Sequence, residues 1–486
     1  MAFVEAGKDG WNNAEKDGLR DDALAVYAVF KQVNSDSVSG CGANVFYSLD
    51  KNRVSLVGYG DAAEAALYAA AEFPAVYCNL TLVDLASFDQ DILDAHLDSG
   101  CYPYATSRDG GYGSISNRQV PMPVATIDTT GKSKADEAVR AIYDTINAEH
   151  SNPDVTEKDE LIRTVALAAD ASVADIYGFT HANGRYLGYP GGTIRENITM
   201  DQEGFKLVND TYAFGGKDVH NRYLVYTPAA YDPETPAPLV LVMHGQSAAL
   251  SDLISESRWS EIADAEENGM VVCFVQGKMG DTDKTVVKPD WFQMIGGEGL
   301  KELSVKLTHD IEEVRKAYSI DPSRIYLTGH SAGSMATCMM ASTDPGLFTA
   351  YAANGGYIGG GQPDGKTVVP FMVSMAEFDG VGASPIAQNA DTNAKFLAMN
   401  GLKLGDLKPA AVDPVYGNGK YQVSTAAFGD TPLFRYVYVK ESPHVFMAEE
   451  ARMSWDFMKH WTRTEEGSFY DGTLVNPFPA ETAKEK

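Results

Sequence analysis

Cysteine, positive charge and long apolar runs are all scarce in this chain of 486 residues. Its five cysteines, Cys41, Cys78, Cys101, Cys273 and Cys338, are too few and too scattered for a disulfide scaffold. None stands with a histidine at zinc spacing, so no metal is expected. Cys273 and Cys338 fall in apolar strand and helix contexts and read as free core thiols; Cys41 and Cys101 could form one bridge, though their spacing does not demand it. With 39 Lys and Arg against 67 Asp and Glu, the formal net charge of −28 argues against nucleic acid or an anionic membrane surface as a partner. No apolar run reaches about 18 residues, so no membrane span is expected. The start, Met1-Ala2-Phe3-Val4-Glu5, lacks a basic-then-apolar leader; either the protein is cytoplasmic, or it is secreted and a leader has been removed.

What remains is the composition of a globular protein, 44% hydrophobic and 22% charged, in a chain long enough for two domains. The turn-forming cluster Leu187-Gly188-Tyr189-Pro190-Gly191-Gly192-Thr193 marks the break, giving a first domain over 1–186, a linker over 187–202 and a second domain over 203–486. After the break, Phe205–Val208 and Arg222–Tyr226 read as antiparallel strands. The continuous apolar runs Leu239–Met243, Val271–Val275 and Val369–Met375 read as buried parallel strands. Strands alternating with helical segments imply an α/β sheet with helices on both faces.

The chemistry gathers at Gly329-His330-Ser331-Ala332-Gly333, with the strand Arg324–Thr328 before it and the helical run Ser334–Ala341 after it. This is the setting of a nucleophile elbow. A serine hydroxyl attacks well only when held proud of the backbone beside a base, and the sharp turn that does so needs small residues two places either side. Chain order in an α/β-hydrolase is serine, acid, histidine, which leaves His444 and His460 as bases. His460 lies in a helical stretch, whereas His444 lies in a loop just past the strand Phe434–Val439, so His444 is the base. Of the acids in between, Asp379 closely follows an apolar strand, with Glu377 as the fallback. The backbone N–H groups of Ala332 and of Gln246, in His244-Gly245-Gln246 after the first buried strand, are the candidate oxyanion donors. No cofactor is called for.

The first half echoes the second. Arg53-Val54-Ser55-Leu56-Val57-Gly58-Tyr59-Gly60-Asp61 lines up with Arg324–Ala332, with Gly60 in the place of Ser331, and Val120–Thr126 echoes Val369–Met375. Residues 1–186 therefore read as a partial, non-catalytic copy of the same fold. They could bind a polymer, shield a sheet edge or form a homo-oligomer contact.

The second half resembles the polyhydroxybutyrate depolymerase and feruloyl esterase group of α/β-hydrolases. The resemblance rests on Arg222–Pro228, on Pro238–Gly245 and on the approach Tyr318-Ser319-Ile320-Asp321-Pro322-Ser323-Arg324-Ile325-Tyr326 to the elbow, and it spans roughly residues 203–463. It implies hydrolysis of small or polymeric carboxylic esters, feruloyl-type or hydroxyalkanoate, through an acyl-enzyme, in a group where secretion is common. Two departures stand out. The group usually has a glycine before the histidine, where Pro443 stands here, and a His-Gly turn before the acid, where Met375-Ala376 stands here. The resemblance suggests Trp291 and Phe292 as substrate contacts, with Tyr357, Phe446, His244 and His330 completing the candidate set. Rival readings are a prolyl-oligopeptidase-like peptidase, although the first half shows no propeller-blade repeats, and a binding protein that kept a hydrolase fold.

Overall fold

The computed structural model describes residues 5, 11, 15–16, 19–20, 23, 25–29, 54–74, 76–100, 116–131, 133–150, 164–183, 198, 200–246, 248, 250–267, 269–278, 291–360, 364–379, 388–412, 421–444 and 446–478. Cys41, Cys101 and most of the stretch 187–202 lie outside these residues. The chain divides into two compact units, Met1–Asn197 and Ile198–Lys486.

The first unit opens with a short antiparallel ladder, β1 (Glu15–Lys16) with β2 (Leu19–Arg20). Its body is a parallel sheet in the order β3-β4-β5-β6, built from β3 (Ser55–Tyr59), β4 (Asn79–Val83), β5 (Val124–Ile127) and β6 (Thr164–Ala166). Helix α1 (Asp61–Glu72) follows β3, α2 (Gln90–Asp98) follows β4, α3 (Lys134–His150) follows β5 and α4 (Val173–Ala182) follows β6. The alanine-rich α1 lies almost wholly in the core, where small side chains let it sit close on the sheet.

The second unit holds a ten-stranded sheet in the order β14-β15-β16-β13-β12-β11-β9-β10-β8-β7. Its six central strands are parallel: β10 (Val271–Val275), β9 (Ala237–Met243), β11 (Ile320–His330), β12 (Ala350–Asn354), β13 (Phe371–Phe378) and β16 (Thr431–Pro443). Antiparallel strands close both ends, β7 (Phe205–Phe214) and β8 (Lys217–Tyr226) at one, β14 (Ala411–Val412) and β15 (Tyr421–Phe428) at the other. The helices are α5 (Leu250–Ser257), α6 (Trp259–Ala265), α7 (Glu298–Ala317), α8 (Ala332–Thr343), α9 (Ala390–Met399) and α10 (Ala448–Met458). A hairpin sheet of β17 (Trp461–Thr464), β18 (Gly467–Tyr470) and β19 (Thr473–Val475) follows α10.

Strand alternation explains why both faces need helices. In β11, Ile325 and Leu327 join the cluster that holds Leu303, Leu307 and Ile311 of α7 and Ala336 and Met340 of α8. Tyr326, between them, points to the opposite face, where its ring meets Trp455 of α10 edge-on at 5.6 Å. Each large apolar side chain so buried contributes about 1.5–3 kcal/mol, which is why β9, β10 and β12 are apolar at nearly every position.

Two local expectations need correction. The strand expected over Arg324–Thr328 runs from Ile320 to His330, so Asp321-Pro322-Ser323 does not precede it. It lies within β11 as an irregularity, where the register with β9 shifts between Ile320 and Ile325 and the Asp321 carboxylate accepts from the Ser323 amide and hydroxyl. His460 is not in a helix interior either. It stands in the turn between α10 and β17, because Trp461 begins an antiparallel ladder with Tyr470.

Candidate active site

Ser331 stands between the last residue of β11 and the first of α8 with φ 54° and ψ −115°, a backbone region that costs a residue with a side chain of order 1–3 kcal/mol. The close packing of the turn holds it there. A Cβ on Gly329 would come within 2.5 Å of the Gly333 carbonyl carbon, and a Cβ on Gly333 within 2.5 Å of the Met243 carbonyl oxygen. The Ser331 N–H is taken up by the Asn354 carbonyl at 2.9 Å, and the Gly333 N–H by the His244 carbonyl at 3.1 Å. The hydroxyl is thereby presented at the carboxyl edge of the parallel sheet.

There it meets the loop that follows β16. The Ser331 hydroxyl lies 2.8 Å from His444 Nε2, and His444 Nδ1 lies 3.0 Å from Asp379 Oδ2, in the loop directly after β13. The Asp379 side chain is fully buried, whereas that of His444 is 23% exposed, enough for a proton to reach solvent or substrate. In this order the histidine Nδ1–H donates to the carboxylate and the serine hydroxyl donates to Nε2. Glu377, the alternative acid, lies beside Tyr438 instead. Burial first, then the Glu377 charge, pushes that tyrosine up to about 12. One hydrogen-bonded line thus joins residues from three strand ends, and it is the geometry of an activated serine. The fold is that of the α/β-hydrolases.

The candidate oxyanion donors flank the same serine. Ala332 opens α8, so its N–H has no partner within the helix. Gly245 packs so closely on the elbow that a Cβ there would lie 3.3 Å from both Ser331 Cβ and His330 Nδ1, and Gln246 follows it. His330 is buried against His444, with ring centroids 4.9 Å apart, and stacked on Phe446 at 5.5 Å. Burial, then the neighbouring His444, holds its imidazole well below the usual histidine range, so it adds no charge beside the base.

Most of the expected substrate contacts are turned inward. Trp291, His244 and Phe446 are each 0% exposed, and Trp291 packs on the His244 ring at 5.3 Å. Tyr357 is stacked on Phe396 and Phe371 and meets Tyr436 edge-on in the core. Of the four, none presents an accessible face for an acyl group, because each fills a gap between strand ends and helices. Phe292, in contrast, is 48% exposed. Among the described residues no group of three or more His, Cys, Asp and Glu is arranged to hold a metal ion, and no helix is long and apolar enough to cross a membrane.

Sequence reasoning missed a buried polar cluster behind the triad. The Glu450 carboxylate accepts from the Ser374 hydroxyl and from the Met447 amide, and Asn354 Oδ1 lies 2.9 Å from Ser374 Oγ and 3.3 Å from Ser454 Oγ while its amide donates to Thr328. It ties the segment after His444 to β12 and β13 under the elbow. A charged residue at a core position of the amphipathic α10 was its only signal.

No family model matches the chain. It is 34% identical over 216 residues to poly(3-hydroxyalkanoate) depolymerase C of Paucimonas lemoignei, a match covering 43% of this chain and 47% of that protein. It is 29% identical over 137 residues to a bifunctional acetylxylan esterase/xylanase of Neocallimastix patriciarum, covering 28% of this chain and 17% of that one. The chain spans less than half the length of the curated relatives it matches. Among solved structures, an acetyl xylan esterase from Aspergillus awamori aligns at TM-score 0.38 and 15% identity, over 51% of this chain and 98% of its own. An S-formylglutathione hydrolase from Agrobacterium tumefaciens aligns at TM-score 0.36 and 13% identity, over 54% and 99%.

Proposed function

We propose that the second unit is a serine carboxylic-ester hydrolase working through an acyl-enzyme. The observation that carries this is the unbroken contact from Asp379 through His444 to a serine held at positive φ. Ser331 Oγ attacks the ester carbonyl carbon as its proton passes to His444 Nε2. The carbonyl π electrons move to oxygen, where the amides of Ala332 and Gln246 receive the charge. Asp379 stabilises the imidazolium. His444 then protonates the leaving alkoxide, and the C–O bond to the alcohol breaks. Water, deprotonated by the same nitrogen, repeats the attack on the acyl-enzyme and releases the acid. The names of the relatives point to acetyl or hydroxyalkanoate esters as the acyl class, and the resemblance adds feruloyl-type esters.

The test is Ser331→Ala in the full chain, assayed on a chromogenic acetyl ester and by fluorophosphonate labelling. Loss of both is expected, and near wild-type turnover by the variant would sink the proposal. A panel from acetyl to feruloyl and hydroxybutyrate esters, with one matched amide, separates the substrate classes and the peptidase alternative. For the first unit, the proposal is a hydrolase-like body without chemistry of its own, since Gly60 stands at its elbow and no histidine occurs in Leu167–Ser172 after its last strand.

A further inference from the structure

His244 has no accessible surface, yet both of its ring nitrogens are engaged, and the partners fix its proton. The Gly277 N–H, in the loop after β10, reaches His244 Nε2 at 2.8 Å, and the Gln276 side-chain amide approaches the same atom at 3.2 Å. A backbone N–H can only donate, so Nε2 is the unprotonated acceptor. The neutral ring then carries its hydrogen on Nδ1, which lies 2.6 Å from the carbonyl oxygen of Gly245. The loop supplying the donor is itself anchored: Lys278 pairs with Glu302 of α7 at 2.9 Å, and Glu302 also accepts from the Tyr212 hydroxyl at 3.0 Å.

The consequence is geometric. In a trans peptide the C=O and the N–H of one unit point in opposite directions. The carbonyl of Gly245 and the amide of Gln246 belong to one unit, and the first is drawn toward the buried imidazole. The second therefore projects away from it, and Gly245 lies directly against Ser331. We propose that His244 is the positioning residue of the oxyanion hole: its Nδ1–H clamps the Gly245 carbonyl and so aims the Gln246 N–H at the developing charge. This rests on the esterase reading above. His244 then works from behind the loop, touching neither substrate nor reacting atoms.

The test compares His244→Phe, which keeps a ring against Trp291 but no donor, with His244→Asn, whose amide can donate from near the Nδ1 position. In folded His244→Phe, kcat on a short ester is expected to fall roughly tenfold to a hundredfold with KM within about twofold of wild type, since a mis-aimed donor fails the transition state more than the bound ester. Inhibition by an aryl boronic acid, whose tetrahedral adduct places an oxygen in the hole, should weaken by a similar factor. His244→Asn should recover a substantial part of both losses. A folded His244→Phe with kcat within about threefold of wild type, a loss residing wholly in KM, or no recovery by asparagine would each overturn the proposal. Nitrogen NMR of the His244 imidazole in the wild-type chain needs no variant to fold. A proton on Nδ1 is expected, and a proton on Nε2 would overturn the clamp. If wild type neither turns over esters nor labels with fluorophosphonate, the esterase reading fails, while the tautomer measurement still decides the clamp.

Discussion

The two elbows of this chain share a backbone conformation and carry different residues at the tip, glycine in one and serine in the other. Gly60 has φ 55° and ψ −124°, and Ser331 has φ 54° and ψ −115°. Each sits between a parallel strand and a helix, and two further parallel strands follow in the same spatial order, β4 and β5 beside β3, β12 and β13 beside β11. The acid position is also matched. Asp128 directly follows β5, as Asp379 directly follows β13. What differs is the work each carboxylate does. Asp379 accepts from His444, whereas Asp128 accepts from the amides of Thr130, Gly131 and Ser133 and from the Thr130 hydroxyl. Those bonds, the Ser133 amide foremost, hold the Asp128 carboxyl down to about 2. The elbow shape is thus sustained by strand–helix packing, and a serine at its tip is a cost the fold bears for reactivity.

The comparison breaks most sharply with Ser331→Gly, which makes the second elbow a copy of the first. Ester turnover should fall by roughly 10⁴-fold or more. The melting temperature should rise by about 2–4 °C as the strain of about 1 kcal/mol is released. A thermal melt that fell would mean the conformation is unstrained. Next in size is Asp379→Asn, expected to lower kcat by roughly 10³–10⁴-fold with the fold intact, because the histidine loses the partner that sets its tautomer. Asp128→Asn, at the matching place in the first unit, should leave kcat unchanged; any loss beyond about threefold would contradict the idea that this unit holds no chemistry.

The converse substitution, Gly60→Ser, should cost the first unit about 1 kcal/mol and add no reactivity. Fluorophosphonate labelling in a Gly60→Ser, Ser331→Ala double variant would show a second working site. Smallest is a pH effect confined to the first unit. Burial foremost, with the Asp128 and Asp84 charges adding and Ser133 and Arg140 opposing, raises the Asp136 carboxyl from 3.8 to about 6. The folded chain therefore holds a proton that the unfolded chain has released across that interval. Its contribution to stability should decline as pH rises from 3.8 to about 6 and stay level above. Asp136→Asn should melt higher than wild type at neutral pH and converge with it below the lower limit.

The residues that the structure brings together around Ser331 were legible in the sequence because each is tied to a strand end. An elbow has a five-residue signature, a histidine after the late strand has few rivals, and Asp379 follows an apolar run. Side-chain direction was not legible. His244, Trp291 and Phe446 neighbour the chemistry along the chain but face inward, since the loops that cover them come from elsewhere: Gly277 is 33 residues from His244. Glu450 reads as an ordinary helix residue until Ser374, 76 residues away, is brought against it. Asp128 gave no sign of replacing a histidine partner with its own loop, because a capping carboxylate and a triad carboxylate share the same strand-end position.

Trp291 gives the loop beside Ser331 a spectroscopic handle. An indole in ring contact with His244 reports the state of that imidazole through its own emission, so movement of the loop on ligand binding is readable without a label. Trp259 and Trp455 form a pair of their own, Trp461 packs on Tyr470 in the terminal hairpin and Trp11 packs on the core of the first unit, leaving Trp291 as the described indole in ring contact with His244.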